Sequence, residues 1–200
     1  MRDKVWFMVL VLGISGALAG AALSYVKSKT QPVIEQRILE EGVKPSLDLF
    51  YGPIGVDNDY IADRAALDLG KDDWGRKLSA IVFKGKKGGK VVAAALQTTA
   101  SGFGGTLTVL TAFDLENKKI LGAKALDQKE TKGLGARVAD DKEPFIQQFR
   151  GMPFGGGVAL KANGGQVDAI SGATISSGAF TNAVNKAVNL LGERADEINK

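Results

Sequence analysis

The residues of this chain best placed for chemistry are Asp168-Ala169-Ile170-Ser171-Gly172-Ala173-Thr174, which lead into its most regular amphipathic segment. Phe180, Val184, Ala187, Val188 and Leu191 recur at helical spacing and form one apolar stripe. Ser171 and Thr174 therefore place two hydroxyls, with Gly172 between them, at a helix N-terminus. Unpaired N–H groups and the positive end of the helix dipole favour an anion such as a phosphate there. Gly172 permits the close approach of a ligand or a second backbone. On residue types alone, Ser171 acting as a plain helix cap is the simpler reading.

The residues that are missing narrow the chemistry further. The 200 residues include no cysteine and no histidine. Thiolate clusters, thiol nucleophiles, imidazole triads and bis-His metal sites are thereby excluded, together with ordinary haem and iron–sulfur ligation. We assign no metal ligand and no catalytic side chain. Redox work would need an organic cofactor held by other means. No G-x-x-x-x-G-K-[ST] occurs, and Gly102-Phe103-Gly104 and Gly133-Leu134-Gly135 both lack the third glycine of a dinucleotide fingerprint. The formal charge of +4 comes from 26 Lys+Arg against 22 Asp+Glu. Arg2, Lys4, Lys27 and Lys29 supply most of it, so the rest of the chain is near neutral. No basic stripe with interleaved aromatics appears, which argues against a nucleic-acid partner.

Three segments carry a family resemblance. Asp168 to Thr174 resembles the D-x-x-[ST]-G-A-T signature of proteins with covalently bound FMN, in which a flavin transferase joins the FMN phosphate to the final threonine. Glu130-Thr131-Lys132-Gly133-Leu134-Gly135 resembles that family's E-T-x-G-L-G loop, which lies by the flavin ring. Ser101-Gly102-Phe103-Gly104-Gly105 resembles its G-Y-G-G turn, with Phe103 where tyrosine is usual. The order of motifs and the chain length are similar to the G-subunit family of Rnf ion-translocating oxidoreductase complexes. The C subunit of the sodium-pumping NADH:quinone oxidoreductase is a relative, usually longer.

The resemblance implies FMN esterified to Thr174. Around it would lie Ser171, Gly172 and Ala173, with Glu130, Thr131, Leu134, Gly135 and Phe103 from the other two motifs. Asp168 would belong to the element the transferase recognises, since a carboxylate is a poor contact for a phosphate; its alternative is a turn-forming Asx. Glu130 is either a solvated loop carboxylate or a hydrogen-bonding group at the flavin or its surroundings. Phe103 and Leu134 either touch the ring or join the core. The resemblance further implies an electron relay within a ferredoxin:NAD oxidoreductase complex coupled to Na⁺ or H⁺ movement. Its partners would be integral-membrane and peripheral subunits of the same respiratory complex, with the flavin transferase acting during maturation. The location implied is the bacterial cytoplasmic membrane, with the soluble domain outside. The alternatives are a subunit of the related NADH:quinone oxidoreductase, a membrane-tethered flavin module outside any pump, and a tethered scaffold that uses Thr174 only as a cap.

Several elements must position these residues. Val5 to Val26 is free of charge, and its 22 residues would make a helix of about 33 Å against a hydrocarbon core of roughly 30 Å. Basic residues flank it, and Trp6 and Tyr25 lie near its ends as interfacial anchors would. A transmembrane anchor is the reading adopted. A signal peptide cleaved after Ala17-Leu18-Ala19 is the alternative, and the apolar run past Ala19 weighs against it. Gly16, Gly20 and Ser24, beside Gly13, Ala17 and Ala21, form rows of small residues that suit helix–helix packing or simply reflect membrane-helix composition.

Beyond the membrane, a short helix is expected over Pro32–Glu41, with Thr30 as its cap, and irregular chain over Gly42–Gly75. Strands are expected at Leu78–Phe83, Val91–Gln97, Thr106–Phe113 and Lys119–Leu126. The basic run Lys84 to Lys90 reads as a hairpin turn, and Glu116-Asn117-Lys118 as another. A short helix over Glu143–Phe149 and a short strand at Gln166–Ile170 precede the last helix, which stops near Gly192. The fold class is α+β, with a partly antiparallel sheet and a C-terminal helix. The domains expected are an anchor with its flanks at 1–30, a connecting segment at 31–75 and an FMN-binding domain at 76–200.

Overall fold

The computed structural model describes residues 2–71 and 77–198. They divide into two compact units, Met1–Gly42 and Val43–Lys200.

In the first unit, helix α1 runs over Arg2–Arg37 and is followed by a π-helical turn, Ile38–Val43. From Lys4 to Arg37 every side chain is exposed, including Trp6, Leu12 and Leu23. The helix is long and apolar enough to cross a membrane. No separate helix begins at Pro32, contrary to expectation. Pro32 lies inside α1, and the Thr30 hydroxyl donates back to the Val26 carbonyl at 3.0 Å instead of capping a new start. An interior proline forgoes the bond to the carbonyl four residues back and crowds that carbonyl with its ring, a local cost that α1 carries here.

In the second unit, helix α2 (Lys44–Tyr51) leads through a 3₁₀ turn to a five-stranded sheet. The strands are β1 (Ala65–Lys71), β2 (Lys77–Lys87), β3 (Lys90–Ser101), β4 (Thr106–Asp114) and β5 (Lys119–Asp127). They pair in chain order, every pairing antiparallel. Strand β1 lies where irregular chain was expected. Ala65, Leu67 and Leu69 alternate inward with Ala66 and Asp68 outward, but two alanines and a glycine blur that signal. The basic run is indeed a hairpin, whose turn is only Gly88-Gly89, at φ +57° and +81°, between Lys87 and Lys90. Two consecutive positive φ values are the geometry that a two-residue hairpin needs. The second turn is tied by the Asp114 carboxylate, which accepts from the Glu116 and Asn117 N–H groups.

Helices α3 (Pro144–Gln147), α4 (Thr174–Glu193) and α5 (Ala195–Ile198) complete the unit. The strand expected at Gln166–Ile170 is absent: one isolated bridge, Leu160 with Val167, is all that forms. The loop before it closes too tightly for a side chain at Gly165, where a Cβ would meet the Ala159 carbonyl at 2.1 Å.

Both faces of the sheet are covered. Leu96, Leu107, Val109 and Phe113 share one buried cluster with Phe180, Val184, Ala187 and Leu191 of α4. Thr98 of β3 donates to the Ala183 carbonyl at 2.7 Å and thereby ties α4 to the sheet. On the opposite face the Tyr51 hydroxyl donates to the Phe83 carbonyl at 2.8 Å, and the Phe50 ring occupies the space above Gly122. A Cβ at Gly122 would lie 2.4 Å from that ring. The apolar stripe of α4 thus fixes its register on the sheet, and with it the position of its first residue, Thr174.

Candidate functional site

Helix α4 opens at Thr174 with no side chain capping its N-terminus. Ala173 occupies the cap position, so the simpler reading of Ser171 as the cap does not hold. Gly172 sits at φ +78°, a conformation that turns the chain sharply into the helix and favours glycine. Ser171, Gly172 and Thr174 are exposed and Ala173 is buried. The neighbouring hydroxyls are buried and engaged. Ser177 Oγ accepts from the Ile170 N–H at 3.0 Å, and Ser176 Oγ donates to the Glu130 carboxylate.

Glu130, from the second motif, ties the first motif to the first turn of α4, just beyond the third. It is 7% exposed, so it is no solvated loop carboxylate. One carboxylate oxygen accepts the Gly104 N–H at 3.1 Å, from the turn after β3. The other accepts the Ser176 hydroxyl, from the first turn of α4. Its own N–H donates to the Gln128 side chain at 2.6 Å. The packing around it leaves no room for a Cβ at three glycines. One at Gly102 would lie 2.2 Å from the Glu130 carboxylate, and one at Gly104 would lie 1.9 Å from the Lys129 carbonyl. One at Gly135 would lie 2.3 Å from Ser176 Oγ. The glycines of the two loop motifs therefore let the loops close on the helix start.

These elements enclose a cleft of about 400 Å³. Phe103 comes from the first turn, Glu130, Thr131, Leu134 and Gly135 from the second loop, and Gly172, Ala173 and Thr174 from the helix entry. Of the expected site residues, Ser171 and Asp168 do not line it. Asp168 is exposed; its carboxylate pairs with Lys161 at 2.7 Å, and its backbone N–H and C=O bond the Gln148 side chain at 2.8 and 3.0 Å. That pairing replaces the Asx turn considered for it. Two lining residues were not among the expected site residues, Ile175 and Ser176. Ile175 is off the apolar stripe of α4 yet apolar and 59% exposed, and that mismatch is the sequence signal that could have found it.

Three exposed apolar side chains, Phe103 at 71%, Ile175 at 59% and Leu134 at 49%, border the same cleft from three separate segments. Water-facing apolar groups gathered at one concavity suit a flat apolar ring. The uncapped start of α4 and the Thr174 hydroxyl suit an anion at one end of it. A cleft of this volume lies in the range that small cofactors occupy, so the residues present fit FMN. Among the described residues no group of acidic side chains could hold a metal.

Residues 102–189, which span all three motifs, match the FMN-binding domain family. The fold is that of NqrC from Shewanella oneidensis, with a TM-score of 0.51 and 18% identity over 72% of each chain. The chain thus carries, after an apolar N-terminal helix, an α+β domain that matches the FMN-binding family. It is 31% identical over 193 residues to the G subunit of the ion-translocating oxidoreductase complex of Photorhabdus laumondii, covering 91% of this chain and 88% of that one. The corresponding G subunit of Buchnera aphidicola is 29% identical over 196 residues, 95% and 89% of the two chains. The chain belongs to the family of ion-translocating oxidoreductase complex G subunits.

Proposed function

We propose that this protein is the electron-transfer subunit of a membrane-bound ion-translocating ferredoxin:NAD oxidoreductase complex, and that it carries FMN as a phosphoester on Thr174. The observation that carries the attachment is the contrast among hydroxyls at the start of α4. Thr174 is exposed beside the cleft, whereas Ser176 and Ser177 are buried and their hydroxyls engaged. A bond from the Thr174 oxygen to phosphorus puts the phosphate at the uncapped helix start, where N–H groups and the dipole stabilise it. Phe103, Leu134 and Ile175 then offer the ring apolar contact, and Ser171 stands at the entry.

Bound flavin supplies the redox chemistry, and the chain holds and orients it. With its ring at the open, apolar-rimmed side of the cleft, electrons pass to and from neighbouring subunits, and this chain serves as a relay. Helix α1 anchors it in the bacterial cytoplasmic membrane, with the Val43–Lys200 unit on the extracytoplasmic side and the integral-membrane and peripheral subunits of the same complex as partners. A flavin transferase reads the exposed Asp168 segment, which the Gln148 clamp presents on the surface, and forms the ester.

Coexpression with a flavin transferase tests this reading. On a denaturing gel the wild-type chain is expected to fluoresce, and Thr174→Val is expected to be dark. A dark wild-type band, or a fluorescent Thr174→Val band, contradicts it.

A further inference from the structure

Glu130 presents an unusual combination. It is 7% exposed, it lines the cleft, and both carboxylate oxygens accept hydrogen bonds from neutral donors, the Gly104 N–H and the Ser176 hydroxyl. Among the described residues no cation pairs with it, although Lys86, Lys90, Lys124, Arg137, Lys161 and Arg194 all have carboxylate partners. The lysines that flank it in sequence, Lys129 and Lys132, are exposed, so water screens their charge. A lone carboxylate in such a place is costly to desolvate, and hydrogen bonds only partly offset that cost. An amide could brace the same loops without a buried charge, its oxygen accepting from the Gly104 N–H and its NH2 donating to Ser176 Oγ, so bracing alone does not account for the charge.

Resting on the reading that the cleft holds flavin, we propose that Glu130 is a positioning residue whose fixed negative charge lowers the reduction potential of the FMN ring, while Ser176 moderates that charge by donating to it. Reduction of the ring by two electrons and one proton adds one negative charge to it. A buried anion on the cleft wall opposes that addition. A cleft of about 400 Å³ is about 9 Å across if round, so Glu130 lies within about 10 Å of whatever fills it. At an effective dielectric near 20, a unit charge at that distance shifts an equilibrium by about tenfold or more. For a two-electron couple, tenfold corresponds to about 30 mV.

The test is a dithionite titration of the flavin-loaded full chain, followed by flavin absorbance against a reference dye, for wild type, Glu130→Gln and Ser176→Ala. Removal of the charge in Glu130→Gln is expected to raise the midpoint potential by about 30 mV or more. Removal of the donor in Ser176→Ala leaves the charge less compensated and is expected to lower it. A purely structural brace loosens in both variants and moves both potentials in the same direction, which overturns the proposal; so does an unchanged potential in Glu130→Gln. If Glu130→Gln does not fold, the sign of the Ser176→Ala shift still decides, a rise or no change overturning the proposal. A wild-type chain that takes up no flavin overturns both this proposal and the reading it rests on. A loaded wild type with an unmoved or misdirected potential in the variants overturns this proposal alone.

Discussion

Thr98 and Thr111 make opposite demands on the same substitution. Both lie on the α4-facing side of the sheet, since Thr98 pairs with Val109 and Thr111 with Leu96 in adjacent inward rows. Both are buried, Thr98 at 5% exposure and Thr111 at 0%. Thr98 donates to the Ala183 carbonyl of α4 at 2.7 Å, whereas Thr111 Oγ1 has no hydrogen-bond partner among the described residues. Replacing threonine by valine keeps the shape and β-branching and removes only the hydroxyl. At Thr98 the loss is one buried hydrogen bond, about 1 kcal/mol. At Thr111 the change relieves an unsatisfied buried hydroxyl, whose burden is about 1–3 kcal/mol. Thr98→Val is therefore expected to destabilise the domain by about 1 kcal/mol, and Thr111→Val to stabilise it by about 1–2 kcal/mol. In urea the two midpoints should move apart at an unchanged slope. In a thermal scan each kcal/mol is about 2–4 °C for a unit of this size. Equal destabilisation by both substitutions refutes the reasoning, because it would mean that the Thr111 hydroxyl is satisfied; no loss in Thr98→Val would mean that α4 is not seated through Thr98.

Three further outcomes follow from the site and its supports. Gly104→Ala puts a Cβ against the Lys129 backbone carbonyl, so the loops must part; a loss of about 1–3 kcal/mol in denaturant titration and a more solvent-accessible, more fluorescent flavin are expected. Asp168→Asn retains the backbone clamp to Gln148 and loses only an exposed ion pair, worth about 0–1 kcal/mol. Its melting temperature should stay near wild type while the flavin-labelled fraction after coexpression falls. Asp63 is held below the usual carboxylate range by hydrogen bonds from Lys86 and then Asn58. A lowered folded pKa adds stability above the ordinary carboxylate pKa and loses it as pH falls toward the lowered one. Asp63→Asn should therefore flatten the acid limb of a stability–pH profile and leave its shape above about pH 6 unchanged.

The parts of the fold legible in sequence were those with strong periodicity or strong punctuation. The stripe from Phe180 to Leu191 located α4, and the run Lys84 to Lys90 and Glu116-Asn117-Lys118 located two hairpin turns. Strand β1 was not legible because Ala65-Ala66-Leu67-Asp68-Leu69-Gly70 carries little β propensity, and neighbouring β2 is what makes it a strand. The proline at 32 looked like a helix start because its local preference is real, yet α1 runs through it. At the site, residue types brought the three motifs to notice but could not join them. The join is made by Glu130, through one backbone N–H and one serine hydroxyl that lie 26 and 46 positions away in sequence. Short-range patterns carry no information about such contacts, whereas Ile175 did leave a local trace, an apolar residue off the stripe of α4.

The ester on Thr174 is tested most directly by locating it. Trypsin cuts after Lys161 and Lys186, so a single peptide, 162–186, contains Ser171, Thr174, Ser176, Ser177 and Thr181 together. Fragmentation of that peptide from chain coexpressed with a flavin transferase is expected to place one FMN on Thr174, with all four other hydroxyls unmodified. A peptide without FMN, or FMN on any other of these residues, contradicts the account.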